Sequence, residues 1–187
     1  MNTTLALALY DTASRIDRLR FQLQTLPPAP KTPAADSVSA LIVDLVTITM
    51  DVTTHIKSCL SELSAGSSPK TALRAYSGAL APLGEALTEL GRIHAEIAHW
   101  NFSADATRQL GSMEQVLPSQ RVIDAISGCR EAVDEILDAT AIDLRTSATE
   151  LASPPSLLRS GAPARTLPAT GPAPASPPAA LPTANRR

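Results

Sequence analysis

The chain has 187 residues, 44% hydrophobic residues, only 3% aromatic residues and a formal net charge of −2. This length fits one domain plus a tail, and a core built of Leu, Val, Ile and Ala suits helix packing better than an aromatic-lined pocket. All 18 acidic residues precede residue 152, so residues 1–151 carry a net charge of about −6. A folded part this acidic repels phosphate backbones, and nucleic-acid binding is not expected.

The first predicted helix spans about residues 2–26. Its apolar residues recur in steps of three and four, which is the pattern of one helix face; they are Leu5, Leu9, Ala13, Ile16, Leu19, Leu23 and Leu26. The segment PPAPKTP then ends the helix, because proline lacks the amide donor and clashes with the preceding turn.

The second predicted helix spans about residues 36–63. The segment LIVDLVTITM is rich in β-branched residues, so a strand competes locally, but a strand of nearly 30 residues would be far outside the norm. Its predicted inner face is Val38, Leu41, Leu45, Ile48, Val52, Ile56, Cys59 and Leu63. Because it is apolar around more than half of its circumference, we expect it to be central in the fold.

The third predicted helix starts with Ser68 as N-cap and Pro69 at the first position, and runs to Trp100. Its large residues form an a/d heptad that passes through Pro82 without losing phase, which predicts a kink near Pro82 and not two helices. The predicted seam is Leu73, Tyr76, Leu80, Leu83, Leu87, Leu90, His94 and Ile97. Residues 101–117 are expected to be a polar connection with room for a short helical turn.

The fourth predicted helix opens at Pro118 or Ser119 and ends at Leu151. Its predicted core positions are Val122, Ile126, Cys129, Val133, Leu137, Ala141, Leu144, Ala148 and Leu151. The acidic side chains Asp124, Glu131, Asp134, Glu135 and Asp138 are expected to keep its outer face solvated.

The composition changes abruptly after Leu151. Residues 152–187 contain nine of the sixteen prolines and no acidic residue, and they cannot bury enough surface to offset the entropy of ordering. The sequence therefore predicts an all-α protein: an up-down-up-down four-helix bundle at 1–151 and a disordered Pro/Ala-rich tail at 152–187.

A possible metal site is suggested by RIHAEIAHW at 92–100, where Glu96 and His99 have the Glu-x-x-His spacing of di-metal bundles. In the predicted bundle these two residues point outward, and His55 lies far from His94 along the axis. We therefore expect a semi-buried His94, a surface His99, Trp100 as a cap over the end of the bundle, and no metal or other cofactor.

Two further pairs of reactive residues have simple structural explanations. Asp51 and His55 stand at i and i+4, which is usually a surface ion pair. Cys59 and Cys129 lie at different predicted heights in the bundle, too far apart for a disulfide, so both are expected to be free, buried thiols. No phosphate-binding loop, nucleophile elbow or zinc-protease motif occurs in the sequence.

The third helix carries a second stripe, made only of small residues: Ser77, Ala81, Gly84, Thr88, Gly91, Ala95 and Ala98. Glycine inside a helix costs about 1 kcal/mol relative to alanine, so the stripe indicates close approach by another backbone. The simplest explanation is a neighbouring helix of the same bundle. The alternative is a homodimer or partner-helix interface at Ala81, Gly84, Thr88, Gly91, Ala95 and Ala98.

The absence of an assembled catalytic set favours a non-catalytic helical protein that acts by association, with itself or with a protein partner. The alternative is a small-molecule- or metal-binding bundle, possibly an enzyme, built around His55, His94 or the cysteines. No signal peptide is evident, and Asp44 interrupts the most apolar run, so we expect a cytoplasmic protein without a membrane segment.

Overall fold

The computed structural model describes residues 2–28, 31–64, 69–109 and 118–153. Those residues form four helices and no strand, which confirms the predicted all-α four-helix fold. The helices are α1 (Asn2–Thr25), α2 (Ala35–Ser64), α3 (Lys70–Gln109) and α4 (Gln120–Ala152). The tail predicted at 152–187 lies, beyond Ser153, outside the described residues, as does the predicted N-cap Ser68, and both stay predictions.

The β-branched segment of α2 is helical, as its length predicts. Its buried residues recur every three or four positions, so one face of the helix meets the core. The buried set is Val38, Leu41, Leu45, Ile48, Val52 and Cys59, which agrees with the predicted face except for the half-buried Ile56 and Leu63.

The helix α3 is nine residues longer than predicted, because it continues through residues 101–109. That segment was predicted as a connection from its polarity alone. It contains neither Gly nor Pro, however, so nothing in it stops a helix. Pro82 lies inside α3 and does not divide it. The kink near Pro82 and the complete up-down-up-down order stay predictions.

The position of α2 differs from the prediction. The helix α3 packs against α2 and α4, whereas α1 packs against α4 and only lightly against α2. In the described part of the chain α2 makes no contact with α4. The expectation that α2 is central was therefore wrong, because an apolar circumference shows what a helix could bury and not how much of it its neighbours cover.

The inner face of α3 is rotated relative to the predicted seam. Tyr76, Leu83, Leu90 and Ile97 are buried as predicted, but the four residues that alternate with them, Leu73, Leu80, Leu87 and His94, are only half-buried. Three alanines and one isoleucine complete the inner face instead. Ala72, Ala79, Ala86 and Ile93 are all fully or nearly fully buried.

The rotation of α3 brings its alanines toward α4. Ala79 lies beside Thr140 and Leu144, and Ile93 lies beside Ile126 of α4. A methyl side chain lets two helix backbones approach more closely than a leucine does, so α3 and α4 pack tightly along this line.

Three arginines bridge the seam between α1 and α4. Arg20 donates to Asp134 at 3.1 Å and also pairs with Asp138, and Arg145 pairs with Asp17. Arg130 donates to the carbonyl oxygens of Gln24 and Leu26 at the end of α1, at 2.8 and 3.2 Å. Asp134 and Asp138, predicted only to solvate the outer face, therefore hold α1 on α4.

Replacing Arg20 with Met should lower the free energy of unfolding by about 1 kcal/mol at pH 7. The hydrogen bond from Arg20 holds the pKa of Asp134 below its usual value. The stabilisation is therefore complete above the unfolded-state pKa of the carboxyl and is lost as the pH falls through the lower folded-state pKa. Urea denaturation at pH 7 and pH 3 measures the difference, which should shrink at pH 3.

The matched control is Arg92→Met, because Arg92 is exposed and pairs with Glu89 one turn away on the same helix. It should change stability by much less than Arg20→Met. An equal loss for Arg20→Met at both pH values would show that ionisation of Asp134 does not contribute to the strength of the seam.

Candidate functional site

The histidines lie apart from one another. His94 is half-buried and His99 is exposed, as predicted, while Trp100 is half-buried. His55 stacks on Tyr76 with the ring centroids 4.9 Å apart. Since Tyr76 and His94 are 18 positions apart on α3, His55 and His94 are separated by roughly 27 Å along that helix, too far for one metal ion to contact both.

The stacking of His55 corrects the predicted pairing of Asp51 with His55. Asp51 instead accepts a hydrogen bond from Arg15 of α1 at 2.6 Å, and the His55 ring turns toward Tyr76. Among the described residues no group of three His, Cys, Asp or Glu side chains could hold a metal ion.

The Tyr76 side chain is completely buried. Among the described residues its hydroxyl has no well-formed hydrogen bond. Burial raises the pKa of Tyr76 to about 12, because the phenolate is poorly solvated in an apolar core. The hydroxyl therefore stays protonated at neutral pH, which does not suit it to act as a base.

The two thiols are free. Cys59 is buried and Cys129 is half-buried. Burial raises the pKa of Cys59, and for Cys129 burial together with a hydrogen bond to the Glu89 carboxylate raises the pKa to about 11. A nucleophilic cysteine needs the opposite environment, one that stabilises the thiolate, so neither site is built for thiol catalysis.

We expect Cys129 to react with iodoacetamide roughly 100-fold more slowly at pH 8 than an unperturbed thiol, because a pKa of about 11 leaves about 0.1% thiolate. The rate should rise up to about pH 11, and Glu89→Gln should accelerate it by removing the carboxylate charge. Mass spectrometry of the Cys129 peptide measures the rate. Fast alkylation near pH 7 would instead indicate an activated thiol.

A polar groove of about 460 Å³ runs between α3 and α4. It is open to solvent, and its charged side chains are Arg74, Asp143 and Glu150. A small-molecule site usually encloses most of its ligand between apolar walls, which this groove does not do. This groove therefore does not support the alternative of a small-molecule-binding bundle.

The small-residue stripe, Ser77, Ala81, Gly84, Thr88, Gly91, Ala95 and Ala98, is exposed along its whole length. A Cβ atom added at Gly84 or Gly91 would meet nothing within 4 Å. Packing by a neighbouring helix of the same bundle therefore does not explain these glycines. The interface predicted at the stripe stays a prediction.

A row of exposed apolar side chains on α2 lies beside this stripe. Val43, Val46 and Met50 are 63%, 40% and 65% exposed, and their spacing of three and four places them in one row. Val46 and Met50 line a surface groove together with Leu87 of α3. Leu87 is three positions from Gly84 and four from Gly91, so the row and the stripe are neighbours on one surface.

Sequence reasoning missed the α2 row. The signal was present in the β-branched residues around more than half of the helix, but it was read as a sign of complete burial. Only the packing of α2 against α3 on one flank, and lightly against α1 on the other, shows that this row is left uncovered.

The threonines on this surface present little polarity to solvent, because their hydroxyls donate to backbone carbonyl oxygens of their own helices. Thr88 donates its hydroxyl to the carbonyl oxygen of Gly84 at 2.9 Å, and Thr54 donates to that of Met50 at 3.0 Å. On α2, Thr49 donates its hydroxyl to the carbonyl oxygen of Leu45, and Thr53 donates to that of Thr49. A hydroxyl bonded to its own helix turns the methyl group outward, so these residues extend the apolar surface.

Two acidic side chains of α2, Asp44 and Asp51, turn away from this surface. Asp51 pairs with Arg15, and Asp44 lines a groove with Arg15 and Arg18 of α1, so both acids lie on the flank toward α1.

Three charged side chains of α3 lie toward the flank that faces α4, whereas the exposed Glu85 borders the stripe, three positions from Thr88 and four from Ala81. Glu89 lies near Cys129 of α4, and the charges of Arg92 and Glu96 act on the same thiol. The surface between these flanks is called the α2–α3 face. It consists of the small-residue stripe together with Val43, Val46, Met50 and Thr54, and Lys57 marks one end of its groove.

The helix α2 is long and apolar enough to cross a membrane, by length and composition alone. From the sequence alone, Asp44 is evidence against a membrane-spanning segment, but α2 meets the length and composition of such a segment with this carboxylate included. Only 28% of the residues in its most apolar stretch are buried. Core helices of soluble proteins pass the same test, so this finding by itself does not decide the localisation.

No protein-family model matches the chain, and no curated protein and no solved structure matches it either. The function must therefore be inferred from the geometry of the chain itself.

Replacing Gly84 or Gly91 with Ala should each raise the free energy of unfolding of the monomer by about 0.5–1 kcal/mol. The added methyl group meets nothing, while alanine favours the helix and restricts the unfolded chain. Urea denaturation of the dilute protein measures the gain. Gly78→Ala, on the α3–α4 groove, is the matched control and should give a similar gain. Destabilisation at Gly84 or Gly91 alone would show that the bundle itself needs those glycines.

Proposed function

We propose that this chain is a non-catalytic helical protein that acts by associating with protein through its α2–α3 face. One observation carries the proposal: Val43, Val46 and Met50 are exposed to solvent beside a stripe of small residues, with no charge between them. Surfaces that are buried by a partner are depleted of charge at their centre. A contiguous exposed apolar patch commonly marks such a surface.

The other sides of the bundle support this choice by contrast. The seam between α1 and α4 is crossed by ion pairs from Arg20 and Arg145. Among the described residues no ion pair crosses between α2 and α3. A charged surface is stable in water without a partner, whereas an apolar one gains free energy when another molecule covers it.

The alternative of an enzyme or a metal-binding bundle has less support. His55 and His94 lie far apart, and the thiols of Cys59 and Cys129 are shifted away from reactivity. We propose a protein partner, as opposed to nucleic acid, because residues 1–151 carry net negative charge. A cytoplasmic location and the absence of a bound cofactor remain part of the proposal.

The test is the apparent mass of the chain in an extract of its source cell. The wild-type chain should elute in an assembly larger than its own 19.6 kDa, and Gly84→Leu/Gly91→Leu should elute as a monomer. The leucines protrude from an open surface, so the variant should fold, and circular dichroism verifies this. Phe21→Asp is the matched control, because Phe21 is also exposed (67%) but lies on α1.

Two outcomes would contradict the proposal. One is equal elution of the wild-type chain and the folded double-leucine variant, which would show that the α2–α3 face is not used. The other is a stoichiometric metal that survives dialysis of the purified protein, which would favour the metal-binding alternative.

A further inference from the structure

We propose that a second copy of this chain covers the α2–α3 face, so that the protein forms a two-fold symmetric dimer. The inference rests on the proposed function and adds the identity of the partner. It follows from the relief of the face, from its symmetry, and from its area.

The relief of the face is a ridge beside a hollow. The ridge is the exposed row Val43, Val46 and Met50 on α2. The hollow is the stretch of α3 that contains Gly84 and Gly91, where an added Cβ would have no neighbour within 4 Å. A surface that carries both shapes side by side can be complementary to itself.

The ridge and the hollow lie at the same height along the bundle. Val46 and Met50 share a groove with Leu87, which lies between Gly84 and Gly91 on α3. A two-fold axis parallel to the helices, passing between α2 and α3, would place α2 of one copy on α3 of the other without changing that height. Each ridge then enters the hollow of the other copy, and the same contact forms twice.

A two-fold axis perpendicular to the helices would give a poorer match. It would place α2 on α2, so that the Met50 ridges meet each other and the glycine hollows face each other. Contacts of that kind leave voids over the glycines and lose the dispersion energy of close packing. The parallel axis is therefore the one that the relief supports.

The charges of the face are compatible with a second copy. The acids Asp44 and Asp51 turn toward α1, and Glu89 turns toward α4. The charged residue that lines the groove is Lys57, at one end of it. Two copies can therefore meet through this face without placing acids opposite one another at its centre, even though each folded part is acidic overall.

The area of the face sets the strength of the dimer. The face spans about 32 Å along α3 and about 16 Å along α2, which at about 10 Å per helix gives about 500 Å² on each copy. Stable interfaces bury about 600–1,000 Å² per partner. The face is just below this range, in the class of weak interfaces, so we expect a weak dimer that dissociates at micromolar concentration.

Sedimentation velocity of the full-length chain under reducing conditions, from about 1 to 200 µM, tests for the dimer at the concentrations expected for an interface of this size. The wild-type chain should shift from monomer to dimer over this range. Val46→Asp should weaken the dimer at least roughly 100-fold, because it buries an unpaired carboxylate. Gly91→Leu should weaken it by filling the hollow. Phe21→Asp, on α1, should leave it unchanged.

Disulfide trapping tests the arrangement of the two copies. Met50→Cys and Thr88→Cys are prepared as separate proteins, mixed, and oxidised. The parallel axis places residue 50 of one copy near residue 88 of the other, so the mixture should form a mixed disulfide dimer and neither protein alone should do so efficiently. The wild-type chain, with its native Cys59 and Cys129, gives the background.

Several results would overturn the dimer. A wild-type chain that stays monomeric up to 200 µM would remove it, and so would a dimer that survives Val46→Asp, since it would use another surface. A disulfide between two Met50→Cys chains, stronger than the mixed one, would contradict the parallel axis.

The failure of the dimer is distinguishable from the failure of the proposed function. A monomeric wild-type chain that still enters a larger assembly in the cell extract, and leaves it on Gly84→Leu/Gly91→Leu, would refute the dimer and leave association with another protein intact. Binding of the monomer to phosphatidylglycerol vesicles, lost on Val46→Asp, would refute both, because lipid would then cover the face.

Discussion

The whole bundle depends on burying an aliphatic core with helices that have almost no aromatic side chains. Leu, Ile and Val side chains fill such a core only when backbones come close together, and the line Ala72, Ala79 and Ala86 allows this between α3 and α4. Once α3 is rotated toward α4 to use these alanines, the leucines Leu80 and Leu87 move to its other flank. There they lie beside α2, and together with the exposed apolar side chains of α2 they form an apolar surface.

The distribution of charge follows from the same arrangement. Arg20 of α1 meets two acids of α4, and Arg145 of α4 meets Asp17 of α1, so ion pairs partly shielded from water cross one seam. Asp44 and Asp51 of α2 turn toward α1 as well. Three charged side chains of α3 lie toward the flank that faces α4. What remains is the α2–α3 face, where Val43, Val46 and Met50 are exposed beside the small-residue stripe. Lys57 lines its groove, and Glu85 borders the stripe.

This surface resembles the interior of a protein more than its exterior. Val46 and Met50 are apolar, Gly84 and Gly91 leave the backbone accessible, and Thr88 bonds its hydroxyl to its own helix. The free energy gained on covering such a surface comes from removing apolar area from water and from dispersion contacts, and not from ion pairs. An occupant is therefore selected by shape, and a ridge beside a hollow is a shape that a second copy supplies.

Much of the fold was determined by the sequence alone. Apolar steps of three and four along residues 2–26, 36–63 and 118–151 fixed the helices and their inner faces, because the period of a helix relates position directly to direction. The free thiols and the half-buried His94 followed from the same reasoning. Where composition replaced periodicity, the predictions were wrong: residues 101–109 are helical, and α2 is not central.

Only the tertiary structure decided which apolar surface stays uncovered. The sequence identified the stripe from Ala81 to Ala98 but could not say whether α1, α2, α4 or solvent lies against it, because a small residue permits a close contact without specifying the neighbour. The α2 row was invisible for a related reason, since burial depends on how many helices surround a given one. Local periodicity determines the direction of a side chain, and the arrangement of the other helices determines what it meets there.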